Sequence, residues 1–177
     1  MRTISINLYQ FEELSDAAKD KARDWFRSVD DGDAWGYEWQ DSLKLFCEYF
    51  SLTTDSWEVS THAYSHCKVT ARDDDIENLT GLRAWKWLAN NGHFKPELLS
   101  GNCPFTGYCG DEDLLDPIRT FRDKPDLELT LGELFQQCAD AWVKAWVADM
   151  EYARSDEAVS ENILANEYEF HGNGNRA

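Results

Sequence analysis

An α+β fold in a single domain is predicted for this chain by two patterns and their arrangement. From Thr130 to Arg154, the residues Leu131, Leu134, Phe135, Cys138, Trp142, Ala145, Trp146 and Met150 recur at spacings of three and four, one face of a long helix. Elsewhere, short segments alternate apolar and polar residues with the period of a half-buried strand. The two kinds of segment follow no regular strand–helix–strand order. The expected architecture is therefore about four or five helices around the 130–154 helix, with a small antiparallel sheet.

Composition fits one foldable core. The chain has 177 residues with eight Trp, seven Tyr and nine Phe, each able to bury a large apolar area. It is also acidic: 17 basic against 34 acidic residues, a net charge of −17. Residues 1–100 carry 11 basic and 18 acidic side chains, residues 101–177 carry 6 and 16, so the excess is denser in the second part. Such a surface repels phosphates and anionic membranes and favours basic partners; no direct nucleic-acid binding and no membrane association are expected. No export-signal pattern opens the chain and no stretch is long enough to span a bilayer. With five cysteines, an odd number, reduced thiols in a cytoplasm are expected.

In chain order, Thr3 to Tyr9 alternates as a strand. Ser15 is placed as an N-cap for a helix from Asp16 to about Val29 that buries Ala18, Ala22, Trp25, Phe26 and Val29. Asp30, Asp31 and Asp33 around Gly32 form a polar turn; they resemble part of a calcium loop, but the twelve-residue pattern and its bidentate glutamate are missing. A second helix runs from about Trp35 to Phe50, with Trp39, Leu43, Phe46 and Phe50 in one stripe. Two strands are predicted around Trp57, Val59 and Thr61 and around Cys67, Val69 and Ala71, joined by a loop over His62–Ser65. Asp73, Asp74 and Asp75 lead into a helix from about Ile76 to Asn91, burying Leu79, Leu82, Trp85 and Leu88, stopped at Asn91-Gly92. Residues 92–110 are irregular, with one helical turn at Leu98-Leu99. Asp111, Glu112 and Asp113 cap a short helix, and Asp116-Pro117 restarts another. Thr130 with Glu133 reads as a capping box for the long helix. Ser155 caps a last short helix with Val159, Ile163 and Leu164. Residues 166–170 alternate as a strand, and a frayed tail follows from about 172.

The runs FEELSDAAKDKARDWFR, CPFTGYCGDEDLLDPI and SDEAVSENILANEYEFHGNG resemble small acidic proteins encoded by bacteriophages and prophages, often labelled antitoxins of toxin–antitoxin stability systems. The likeness covers nearly the whole chain; the ending HGNGNRA departs from it. The resemblance implies a bacterial host cytoplasm and carries no catalytic residue with it.

The residues offer little chemistry of their own. Cys103 and Cys109 in CPFTGYC have five residues between them, wider than paired zinc ligands, and no second pair follows; thiols tucked beneath the loop are expected instead. His62, His66 and Cys67 also lack a fourth ligand. There is no nucleophile elbow, phosphate loop or dinucleotide fingerprint. The expectation is a non-enzyme with no catalytic residue, no cofactor and no metal. It would bind and neutralise a host protein, as an antitoxin or as a counter-defence inhibitor such as an anti-CRISPR. The candidate contacts are the clusters Asp30, Asp31 and Asp33; Asp73, Asp74 and Asp75; and Asp111, Glu112 and Asp113. A DNA mimic that displaces nucleic acid from a host complex is the alternative, and an unrecognised metal-dependent enzyme a further one.

Overall fold

The structure, a computed structural model, describes residues 7–30, 33 and 36–177. The fold is α+β, and eight helices occur among the described residues with two antiparallel strand pairs. The chain divides into two compact units, Met1–Ala34 with Asp149–Ala177, and Trp35–Ala148. The boundary falls inside the long helix.

The smaller unit is built on α1 (Asp16–Val29) and α8 (Asp156–Ala165). Helix α1 buries Ala18, Ala22 and Phe26 at spacings of four, leaving its charged side in water. Val29, expected inside, is 65 % exposed, because it sits in the last turn beyond the covered stripe. Ser15 has the extended backbone of an N-cap, but its side chain makes no capping bond. Ser155 does cap α8, accepting from the Ala158 N–H at 3.2 Å. Leu164, expected on the apolar side of α8, is exposed, whereas Val159 and Ile163 are buried. Strand β1 (Tyr9–Gln10) pairs antiparallel with β4 (Glu169–Phe170). The predicted strand from Thr3 lies mostly outside the described residues. Phe11, Leu14, Phe26, Val159, Ile163 and Phe170 close the core, with Tyr9, Trp25 and Tyr168 packed on it.

The tail is not frayed. Phe170 bridges Arg176, His171 N–H donates to the Asn175 carbonyl at 2.9 Å, and Ala177 N–H donates to the Glu169 carbonyl at 3.1 Å. The Arg176 guanidinium lies 4.8 Å from the Tyr168 ring centre, a cation–π contact. Gly and Asn in the tail make the turn that brings it back, which its polar composition concealed.

The larger unit contains α2 (Gly36–Phe50), β2 (Leu52–Glu58), β3 (His66–Ala71), α3 (Asp74–Glu77), α4 (Gly81–Asn90), α5 (Pro96–Leu99), α6 (Gly110–Asp123) and most of α7 (Leu131–Ala153). Thr130 and Glu133 form the capping box of α7: Thr130 N–H donates to Glu133 Oε2 at 2.8 Å, and Glu133 N–H to Thr130 Oγ1 at 3.1 Å. Leu131, Leu134, Phe135, Cys138, Trp142 and Trp146 are buried as their spacing predicts, while Ala145 and Met150 are only half-buried. Trp142 is fully buried, and its indole N–H donates to the Trp39 carbonyl at 2.8 Å, fastening α7 to α2. The Trp39 ring stacks on Trp146, and Phe50 packs on Phe135. Gly110 opens α6 beneath Trp39, where a Cβ would meet the ring at 2.8 Å.

Three predicted elements differ. Strand β2 begins at Leu52, with Ser51 alone, at φ 56°, turning the chain out of α2. Val59 and Thr61 fall in the loop, which spans 59–65. The run Thr53–Ser56 hid the strand because only Leu52 of β2 is buried. The single helix expected over 76–91 is broken into α3 and α4. Thr80 bridges Thr130, and Leu131 N–H donates to the Leu79 carbonyl at 2.8 Å, so the backbone there serves another segment. Gly81, at φ +48°, passes so close to Leu127 that a Cβ would lie 2.8 Å from its carbonyl oxygen. The core face of α4 is consequently Gly81, Ala84 and Leu88, and Leu82 is 60 % exposed. Helix α6, finally, runs unbroken through Pro117. Proline there forgoes one helical hydrogen bond, while Leu114, Leu115, Ile118 and Phe121 bury a continuous stripe that holds the helix together.

No helix among the described residues is long and apolar enough to cross a membrane.

Candidate functional site

The three acidic clusters meet different fates. Asp73, Asp74 and Asp75 are all exposed at the start of α3, with Asp73 Oδ1 accepting from the Asp75 N–H at 3.0 Å. Asp30 is exposed and Asp33 half-buried, while Asp31 lies outside the described residues. The third cluster is split: Glu112 and Asp113 are half-buried at the surface, and Asp111 points inward. Asp111 is fully buried. Its Oδ2 accepts from the backbone N–H groups of Phe105 at 2.8 Å and Thr106 at 2.7 Å, and its Oδ1 from the Thr106 hydroxyl at 3.0 Å. Cys109, not the acidic triplet, occupies the N-cap position, and the triplet forms the first turn of α6.

Asp111 therefore organises the CPFTGYC loop. Because the Thr106 hydroxyl donates to Asp111, its oxygen is free to accept from the Tyr108 N–H at 3.0 Å and from Ser42 Oγ at 3.1 Å, which ties the loop to α2. Cys103 adopts φ 45° and turns its thiol toward Glu112 Oε1 at 3.6 Å, while Cys109 is exposed. Burial, then the Glu112 carboxylate, raises the Cys103 thiol above its ordinary range. Cys47, Cys67 and Cys138 are buried, and burial pushes the Cys67 thiol up to about 12. Such thiols are protonated at neutral pH and inert. No group of three or more His, Cys, Asp or Glu side chains among the described residues is placed to hold a metal ion.

Two grooves mark the larger unit. One, of 430 Å³, lies between α6 and α7, floored by Ala141, Ala145 and Ala148 and rimmed by Glu112, Asp113, Asp116, Arg119 and Lys144. Burial, then the charges of Glu112 and Asp116, raises the Asp113 carboxyl to about 6. The other, of 520 Å³, runs between α2 and β2, with Leu43, Cys47, Leu52 and Trp57 apolar and Asp41, Lys44, Glu48 and Arg72 charged. Trp57 is 41 % exposed and lies edge-on to Trp142. The far edge of the sheet is closed: Gln136 on α7 donates from Nε2 to the Cys67 carbonyl at 2.7 Å and accepts the Val69 N–H at 3.3 Å. Sequence reasoning placed neither Trp57 nor Gln136 in a site. The polar Gln136 inside the apolar period of α7 was the available signal.

His93 is a further unusual group, one of three side chains, with His66 and Arg119, that bury a polar atom without a hydrogen-bond partner among the described residues. It is buried among Tyr49, Phe50 and Trp87, and its Nδ1 has no hydrogen-bond partner. Burial, with a smaller contribution from the Lys95 charge, lowers it to about 4, so it is neutral at pH 7. No polar partner or second catalytic group is recorded around it, and it serves as core.

Compared with known protein families, curated proteins and solved structures, the chain matches none of them.

Proposed function

We propose that this protein is a non-enzymatic binding protein that engages a basic surface of another protein. In the setting its resemblance implies, it would neutralise a host component in the bacterial cytoplasm, as an antitoxin or a counter-defence inhibitor. One observation carries the reading: Asp73, Asp74 and Asp75 stand exposed together on a unit that is itself net negative. Residues 35–148 hold 19 acidic and 10 basic side chains, and the other unit 15 and 7, so each is acidic in its own right. In the smaller unit two of the seven basic side chains are held in ion pairs, Arg23 with Asp20 and Arg27 with Asp156. The structure of the third cluster narrows the contact set. Asp111 is committed to its loop, while Glu112 and Asp113 are half-buried at a groove, so the reading rests chiefly on the exposed Asp73–Asp75. A field of one sign accelerates encounter with a basic partner and does so less as salt rises.

The test begins with affinity capture from a bacterial host lysate and mass spectrometry, followed by binding kinetics with the purified partner. Asp73→Asn, Asp74→Asn and Asp75→Asn together should slow association by about tenfold at low salt and change dissociation little. Association that is indifferent both to salt and to this triple substitution refutes the acidic-surface reading.

A further inference from the structure

We propose that the outer edge of β2 is a docking site for an extended segment of the partner protein, which adds to the β2–β3 hairpin as a third strand. This rests on the protein-binding reading above and names the surface it uses.

The hydrogen-bond pattern fixes which backbone groups face outward. In an antiparallel pair, opposed residues alternate between those that bond each other and those whose N–H and C=O point away from the partner strand. Thr54 is opposite Val69, and Trp57 is opposite Cys67. The Val69 N–H and the Cys67 carbonyl both bond Gln136, away from β2. Both pairs are therefore of the outward-pointing kind, and the N–H and C=O groups of Thr54 and Trp57 face the opposite side. Leu52, opposite Ala71 and two residues before Thr54, shares that phase. The irregularity at Asp55 restores it for Trp57. Among the described residues, no backbone group of Thr54 or Trp57 has a partner on that side, whereas Leu52, 1 % exposed, is closed off at the start of the strand. These same three residues line the groove between α2 and β2.

An open row of alternating donors and acceptors beside a groove is satisfied by one kind of ligand, an extended peptide backbone. The apolar residues Leu43, Cys47, Leu52 and Trp57 call for apolar side chains at alternate positions of that peptide. Charge decides between occupants. A second copy of this chain would bring its own Asp55 and Glu58 against these and add −17 to −17, whereas a segment flanked by Lys or Arg meets an acidic unit. The occupant is thus a strand of alternating apolar residues with basic flanks, from another protein.

The experiment selects binders from a display library of random peptides, each long enough to span the seven residues of β2, against the full chain. The expected result is a set of peptides with alternating apolar residues and basic flanks. Binding should protect the Thr54 and Trp57 amides from hydrogen exchange. Methylating alternate backbone nitrogens of a selected peptide should weaken binding by about tenfold in one phase and not in the other. Thr54→Pro removes the outward N–H together with the hydroxyl that lies 3.5 Å from Cys47 Sγ; it should do the same while the chain stays folded, and Thr54→Val, which loses the hydroxyl alone, should not; the peptide series carries the test if the proline variant does not fold. Peptides that are indifferent to methylation, protection of other amides, failure to select any peptide, or a concentration-dependent dimer that protects β2 each overturn the proposal. The two readings separate on the captured partner: loss of binding with Asp73–Asp75 neutralised but not with Thr54→Pro sinks the strand-edge site alone. The reverse sinks the acidic-surface reading alone.

Discussion

Replacing Asp111 should loosen one loop by an amount that the geometry sets. The carboxylate accepts three hydrogen bonds, two from backbone N–H groups and one from a hydroxyl, all within 3.0 Å. Hydrogen bonds to a charged group contribute about 1.5–3 kcal/mol each, and removing the acceptor leaves buried donors unsatisfied. Against this, deletion relieves the burial of a charge, which costs several kcal/mol. Taking the lower bound for three bonds and subtracting part of the desolvation leaves a net loss of about 3 kcal/mol for Asp111→Ala. Asp111→Asn is milder, about 1–2 kcal/mol. Its carboxamide oxygen can keep both backbone N–H groups, and its NH₂ faces the Thr106 hydroxyl, which can rotate to accept. Urea titration gives the stability. Thiol labelling in native buffer gives the location: Cys103, at φ 45° and turned toward Glu112 in the wild-type protein, should become reactive much faster, while buried Cys138 should not. An Asp111→Ala protein within about 0.5 kcal/mol of wild type, or one in which Cys138 is exposed as readily as Cys103, would refute this reasoning.

Two other outcomes follow from the core. Trp142→Ala removes a fully buried indole and its hydrogen bond to the Trp39 carbonyl, so a loss of about 3–5 kcal/mol is expected by urea titration, and an unchanged midpoint would deny α7 its central place. Acid should act through two groups of opposite sign. His93 is held near 4 against an ordinary 6.5, so the unfolded chain takes up the proton first, and stability falls by up to about 3 kcal/mol as pH drops through that window. Asp113 is held near 6 against an ordinary 3.8; the folded chain takes up the proton first, and stability rises as pH drops from about 6 to 3.8, by less because water screens a half-exposed group. His93→Gln should flatten the acid loss and Asp113→Asn should raise stability at pH 7; denaturation midpoints across this range check both, and shifts of the same sign would contradict the assignment.

The helices were legible where burial follows one period. Helix α1 matches its expected bounds and α7 lies within a residue of them at each end, because an amphipathic stripe between a start signal and a stop needs no knowledge of the rest of the chain. The break between α3 and α4 was not legible, since it depends on Thr80 pairing with Thr130, fifty positions away. Strand β2 was hidden for the opposite reason: only Leu52 is buried, so almost no alternation is written into its sequence. The acidic clusters looked equivalent because sequence shows charge and not direction. Asp111 differs from Asp73 in what lies opposite it: two backbone N–H groups and a hydroxyl of a loop folded over it, against the single N–H of Asp75 at an exposed helix start. Gln136 could be read as a solvated side chain until the register of β3 made it a partner for Cys67 and Val69.

That one carboxamide also sets a valence. A hairpin open on both sides can be extended from either, and each strand added presents a new edge, so growth has no natural end. With Gln136 seated on the Val69 N–H and the Cys67 carbonyl, that side of β3 is already occupied; on the strand-edge proposal, extension then starts from β2, and an incoming strand from a chain without this hairpin gives a ratio of one to one. For a protein with a Trp-bearing strand at its surface, stoichiometry and solubility come to depend on a single side chain of α7 that touches neither the groove nor anything bound in it.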